Sequence, residues 1–479
     1  MTDHYLAIDQ GGHASRALLF ASDGALIASA SESIATSRNA LGHVEHDPDE
    51  LVNSLQRAIN TVCDHLAPGS RVRAAGLATQ RSSMVCWHRH SGKALSPVIS
   101  WQDRRNATWL ERLAPCAAEI RARTGLVLTP HYGASKMRWC LDHLPAVQQA
   151  AANGELLMGP LASFLVCRLV AGRPLLADPA NASRTQLWAL ATRDWSPQLL
   201  TLFGIDATVL PRAVTSRYPY GDLTTPGGPV PLTVVTGDQS AAPFAFGALD
   251  PETAYLNLGT GAFAQRPVPG ILPDAPRLLV SVVWSDATRI DYLLEGTVNG
   301  AASALDWLAT REHMPVVQLL AAADRALAAG ETPPLFINGV SGLGAPFWVS
   351  ELESRFIGAG SDGARVLAVL DSIAFLLQAN LEELSMHGPP LGRLLVTGGL
   401  SANEYLCRCL GSLSQLPVDR ADDPEATSRG LARLVAGDAA AHWPVADAAR
   451  QYPVANPGLS ARYQQWRAAL DAAIATSGR

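Results

Sequence analysis

Short apolar runs alternate along the chain with longer segments in which apolar residues recur every three or four positions. The runs "RAAGLATQ" (73–80), "LTVVTGD" (232–238), "TAYLNLGTG" (253–261) and "RLLVTGG" (393–399) read as buried strands, several ending on glycine or aspartate. The clearest helix opens at "DPDE", where Asp47 is the expected N-cap, Pro48 the first helical residue and Glu50 the partner that completes a capping box. Leu51, Leu55, Ala58, Ile59, Val62 and Leu66 then fall on one face. Strands and helices in alternation predict an α/β protein with polar and glycine residues at the carboxyl ends of its strands, where open sheets bind ligands.

Two segments share one pattern. "DQGGHASRALLF", Asp9 to Phe20, follows the apolar run "YLAI", and "NLGTGAF" (257–263) repeats the sequence of strand, glycine turn and resumed apolar segment. Both predict β-hairpins, the first with a tight Gly11-Gly12 turn at φ > 0 that leaves backbone N–H groups facing outward. Two related hairpins predict two related domains, 1–243 and 244–479, and the stretch "GDLTTPGGPVP" (221–231) reads as a loop before the last strand of the first. No low-complexity segment and no short-period repeat interrupts this plan.

A length of 479 residues fits two cores better than one. The net charge of −6, with acids and bases interspersed, offers neither a basic stripe for nucleic acid nor a polybasic tail for a membrane, so a small polar ligand is expected. The N-terminus lacks a signal pattern and no uninterrupted apolar stretch reaches the ~18 residues of a membrane span, which predicts a cytoplasmic protein. The cysteines at 63, 86, 116, 140, 167, 407 and 409 show no metal-binding spacing and read as reduced, packed thiols.

The polar turns carry the candidate chemistry. "DQGG" and "GTGAF" could each cradle a phosphate on backbone N–H groups, with Thr260 adding a hydroxyl. "VTGGLSAN" (396–403) joins a strand to a capped helix whose open N-terminus suits a nucleotide. "TGDQSAAPFAFG" (236–247) sets Asp238 at a strand end with small residues behind it, exposing a carboxylate as a general base. Together they favour nucleotide-dependent phosphoryl transfer. The Walker pattern and the dinucleotide-binding Gly-x-Gly-x-x-Gly helix start are both absent.

These segments, with "GHVEHDPDEL" (42–51), "QRSSMVCWHRHSGKALSPVISWQDRR" (80–105), "TGLVLTPHYGASKMRW" (124–139), "DPANASRTQLW" (178–188), "EGTVNGAASALDWL" (295–308) and "GLGAPFW" (342–348), resemble in order and wording the FGGY carbohydrate kinases, most nearly the glycerol kinases among them. The resemblance implies two actin-like domains of the ribonuclease-H type, an ATP and sugar cleft between them, and domain closure. It implies that Asp9 holds Mg²⁺ and that Arg16 lies close to the nucleotide phosphates, with Gly11, Gly12 and His13 in the first phosphate turn and Thr260 and Gly261 in the second. Gly399 and Asn403 match the adenosine-side loop. Asp238 matches the base that deprotonates the attacking hydroxyl, Gln239 a substrate contact, and Arg81, Trp101 and Phe263 other cleft residues. Asp103 in "WQDRR" also falls on a motif position, where a structural pairing with Arg104 or Arg105 and a ligand contact are equally open.

The chain departs from the pattern at three places. Gly12 and His13 stand where glycerol kinases usually carry two threonines, Ser82 follows Arg81 where the family has glutamate, and His131 replaces a tyrosine that lines the glycerol site. His13 can donate from its imidazole or point to solvent. Glutamate to serine removes a charged acceptor and opens space for one more hydroxymethyl group, which weakens the case for glycerol. The expectation is an ATP- and Mg²⁺-dependent kinase of a small polyol or sugar, with glycerol kinase proper and a non-catalytic nucleotide- and sugar-binding sensor as alternatives. The oligomeric state stays open, a homo-oligomer included.

Overall fold

The computed structural model describes residues 2–421, 423–445 and 447–477. Its first sheet contains β1 (Thr2–Gln10), β2 (Ala14–Ala21), β3 (Leu26–Ser33), β4 (Ser70–Thr79), β5 (Arg217–Thr225) and β6 (Gly228–Gly237), in the order β5-β6-β4-β1-β2-β3. β1, β2 and β3 form an antiparallel meander, and β4 and β6 continue it as strands parallel to β1. The second sheet repeats the design. β7 (Thr253–Leu258), β8 (Ala262–Pro269), β9 (Leu279–Ser285) and β10 (Ile290–Val298) supply the antiparallel part, and β11 (Arg393–Thr397), β12 (Val418–Arg420) and β13 (Ala449–Gln451) follow on the other side of β7. β7, β11 and β12 run parallel, so both domains present strand carboxyl ends to the space between them. This is the two-domain actin-like, ribonuclease-H-type architecture that the resemblance implies.

Helices cover the sheets. α1 (Pro48–Cys63) lays Leu51, Leu55, Ala58, Ile59 and Val62 on the first sheet, as its periodicity predicts. Its cap differs from expectation. Asp47 accepts from the N–H groups of Asp49 and Glu50, but Glu50 turns away and accepts from the Ala35 N–H at 3.2 Å, tying the loop after β3 to the helix instead of closing the box. A small five-stranded sheet takes two strands, Ser37–Arg38 and Val44–His46, from the segment between β3 and α1, and three from the segment between β4 and β5, which also holds α2 (Gly133–His143). The stretch 221–231 is a hairpin and not a loop: β5 and β6 pair across Thr225–Gly228, with Gly228 at φ +106° supplying the turn. β6 runs directly into the short helix α3 (Asp238–Ala241).

The second core surrounds α4 (Asp362–Ser385), which is long and apolar enough to span a membrane, although 89% of that stretch is buried inside the protein. After β11, α5 (Glu404–Ser414) starts on an Asn403 cap. The chain then crosses back. α6 (Ala426–Ala436) covers the free face of the first sheet, where Leu431 and Val435 pack with Tyr5, Ala7, Leu18 and Phe20. Gly76 on β4 permits this approach, since a Cβ there would stand 2.6 Å from Val435 Cγ2. All seven cysteines are free, six of them buried, and no disulfide occurs among the described residues.

Candidate active site

Asp9 and Arg16 sit opposite each other in the β1–β2 register, at the carboxyl end of β1. Neither Gly11 nor Gly12 has positive φ, and the Gly11 N–H is spent on the Ala14 carbonyl at 3.0 Å. The expected two-residue turn is a three-residue connection, Gly11 to His13, long enough to reverse the chain without left-handed residues. What the glycines supply is space: a Cβ on Gly12 would meet nothing within 4 Å. His13 is exposed and its carbonyl accepts from Ile34.

The Asp9 carboxylate is buried, and its Oδ1 has no hydrogen-bond partner. Burial, reinforced by the negative charge of Asp238, pushes its pKa up to about 7, against the opposing pull of Arg16. An orphaned buried carboxylate oxygen is rare in a folded protein and suits a cation. No cluster of three or more ligating side chains exists among the described residues. That pattern fits Mg²⁺, which binds through one or two carboxylates together with substrate phosphates. Arg16 reaches Glu425 at 3.5 Å, an ion pair that sequence reasoning missed.

Asp238 opens α3 at the end of β6, where its Oδ1 accepts from the Gln239 N–H at 2.6 Å. Burial raises its pKa, while the Arg81 guanidinium, this hydrogen bond and Arg184 pull it down. Arg81 crosses directly over Gly237, whose Cβ would lie 2.6 Å from the arginine stem. It donates to Glu295 of β10 at 3.0 and 3.3 Å. Glu295 is fully buried and also accepts from Arg184 at 3.1 Å, Gln265 at 3.2 Å and Ser281. Burial alone would raise its pKa, yet Arg81 and Arg184 hold it well below the carboxylate range.

Ser82 is buried at φ +66°, its hydroxyl without a partner. Trp101, 38% exposed, places its ring 5.7 Å from that of His131, which stands 4.9 Å from Tyr132. Burial, together with Lys136, Arg184 and Arg81, pushes the His131 pKa well below its ordinary value, so the imidazole is neutral. Asp103 resolves as structural: it is fully buried and pairs with Arg105 through three bonds of 2.7 to 2.8 Å while accepting from the Val44 N–H at 2.7 Å.

Across the cleft, Thr260 lies exposed at the tip of the β7–β8 hairpin, where its carbonyl accepts from Ala301 and Ser303. Phe263, half-buried, faces Asn257 in register and shares a strand face with Gln265. Gly398 needs its φ of +89°, because a Cβ would come within 2.6 Å of the Leu258 carbonyl, and Gly399 next to it borders open space. Gln239, Asn257, Thr397, Gly399 and Asp423 line a cavity of about 760 Å³ between the domains. The Asn403 side chain is engaged as the α5 cap, accepting from the Leu406 N–H at 2.8 Å.

The residues absent from the sequence reading, Arg184, Glu295, Lys136 and Glu425, all carry charge. One signal was available: a glutamate inside the apolar run "YLLEGTV" must be buried, and a buried carboxylate demands a cationic partner.

Two similar domains that set carboxylates and glycine turns around a shared cavity define a phosphotransferase of the actin-like class. Residues 4–256 match the family model for the N-terminal domain of the FGGY family of carbohydrate kinases, and residues 254–438 match that for the C-terminal domain. The chain is 35% identical over 446 residues to glycerol kinase of Rhodospirillum centenum, an alignment covering 90% of this chain and 88% of that relative. It superposes on Plasmodium falciparum glycerol kinase solved with ADP at a TM-score of 0.89 and 22% identity, covering 98% of each chain. It superposes on gluconate kinase of Lactobacillus acidophilus at 0.84 and 19% identity, covering 100% of this chain and 99% of the other. The chain belongs to the FGGY family of carbohydrate kinases. It is an ATP-dependent kinase that phosphorylates a hydroxyl of a small polyol or sugar.

Proposed function

We propose that this kinase prefers a four- or five-carbon polyol or ketose to glycerol, and that the change of domain falls at 243/244. Asp238 takes the proton of the attacking hydroxyl; its raised pKa and anchored carboxylate support that role. Gln239, Arg81, Trp101 and Phe263 orient the substrate. Arg16 offsets phosphate charge, while Gly11, Gly12 and His13 on one side and Thr260 and Gly261 on the other enclose the phosphates. Gly399 and the Asn403-capped start of α5 border the nucleoside. Asp9 would hold Mg²⁺, which would supply neutralising charge for the phosphates.

The observation that carries the substrate preference is the buried, unpartnered hydroxyl of Ser82 beside Arg81. A hydroxyl in place of a carboxylate leaves a wider, less negative end, and a longer polyol can satisfy it. Glycerol is the second reading, favoured by the similarity to a glycerol kinase over most of the chain. Coupled ADP release from wild type and Ser82→Glu, on glycerol, tetritols, pentitols and ketopentoses, tests the preference. Wild type is expected to favour a larger substrate by kcat/KM. Ser82→Glu should move the ratio towards glycerol by on the order of 1–3 kcal/mol. An unchanged ratio, or a wild type that favours glycerol, rejects the reading.

A further inference from the structure

Lys136, in the first turn of α2, is fully buried. Its Nζ lies 2.5 Å from the carbonyl oxygen of His131 and 3.4 Å from that of Ser82. Among the described residues it forms no ion pair with a carboxylate. One ammonium thus ties together the main chain at the two positions where the substrate end of the cleft departs from the family pattern. We infer that Lys136 is a positioning residue that sets which polyol or sugar the cleft accepts, by fixing the backbone of Ser82 and His131 from behind.

A buried ammonium whose hydrogen bonds go only to carbonyl oxygens is costly. A methionine would fill similar volume without that cost, so what the ammonium adds is its bonds. Both segments it holds need holding. Ser82 sits in the left-handed region, which a non-glycine residue keeps only when its surroundings enforce it. His131 lies in the connection before α2, where its side chain meets Trp101 and Tyr132 and its main chain receives the lysine. Release of either carbonyl would let the Ser82 hydroxyl and the His131 ring drift, and a substrate bound at its far end would lose the contacts that distinguish it. Burial also pushes the pKa of Lys136 down to about 7, with Asp103 opposing the shift and Arg105 and Arg104 adding to it. His131, the remaining titratable neighbour, is itself held neutral. The charge behind the substrate wall therefore changes near neutral pH.

This inference rests on the reading of Ser82 and His131 as the substrate end, and the test separates the two. Lys136→Met should raise KM for the best polyol or ketose roughly tenfold, leave KM for ATP within about twofold, and bring the larger-substrate to glycerol ratio towards one. A purely structural lysine would lower thermal stability without splitting the two KM values, and that result overturns the inference. If Ser82→Glu shifts the ratio and Lys136→Met does not, the inference alone fails; if neither shifts it, the reading beneath it fails too. Should Lys136→Met not fold, wild type decides. KM for the polyol is expected to rise several-fold from pH 6 to pH 8.5, whereas KM for ATP holds or falls as Asp9 loses its proton. A flat polyol profile overturns the inference.

Discussion

At the scale of single residues, the cleft places charge where folding alone would not. Asp9 titrates at about 7 in the folded chain against an ordinary 3.8, so between these limits the folded state holds more protons than the unfolded. Its contribution to stability is therefore complete below 3.8 and lost as pH rises through 7. Asp9→Asn removes that loss. Without Mg²⁺ or nucleotide the variant should be more stable than wild type by on the order of 2–4 kcal/mol at pH 8, with the gap closing towards pH 4, while turnover falls by orders of magnitude. Denaturant unfolding at both pH values checks this, and a gap independent of pH would show that Asp9 is not the buried charge. Residues such as Asp9, Asp238 and Arg81 were legible because short motifs hold them at strand ends. Lys136 and Glu295 were not singled out, although they lie inside quoted motifs, because each has a partner far off in sequence, Ser82 at 54 residues for the lysine and Arg81 at 214 for the glutamate.

At the scale of elements, local pattern and long-range packing part company. The α1 face and the strands β4 and β6 were readable from local pattern, since each depends on residues within one turn or one strand. The β5–β6 hairpin was misread because its proline and glycine content resembles a loop. The placement of α6 could not be read at all, for an amphipathic helix does not state which sheet it covers. Its return matters for chemistry. A Cβ on Gly430 of α6 would lie 2.0 Å from the Ala241 carbonyl, so only glycine lets the helix press against the α3 turn that carries Asp238. Gly430→Ala is expected to cost about 1–3 kcal/mol of stability and to lower kcat roughly 10- to 100-fold by displacing that carboxylate. Gly76→Ala, which meets the side chains of Leu431 and Val435 farther along the same helix, should lose stability with a much smaller loss of kcat. Thermal melts and steady-state kinetics on both variants decide it; equal losses of kcat would mean that the α6 contact does not position Asp238.

At the scale of the whole molecule, the floor of the cleft is stapled by charge. Arg81 follows β4 of the first sheet, Arg184 precedes the second domain, and Glu295 comes from β10 of the second sheet, so their buried cluster joins the two domains. Glu295→Gln keeps the shape and removes the counter-charge. Two buried guanidinium groups then face an amide, and breaking a buried pair in this way costs about 3–5 kcal/mol, read as a lower melting temperature. A chemical consequence follows from the neighbours. Arg81 and Arg184 already lower the pKa of Asp238, whereas the Glu295 charge raises it. With Glu295 neutral, both guanidinium groups act on Asp238 unopposed, its pKa falls, and it becomes a weaker base. The acid limb of the kcat/KM profile should therefore move to lower pH as the plateau value drops. A melting temperature that falls while the acid limb stays in place would confine Glu295 to holding the domains together; movement of the limb would show that the same staple tunes the base.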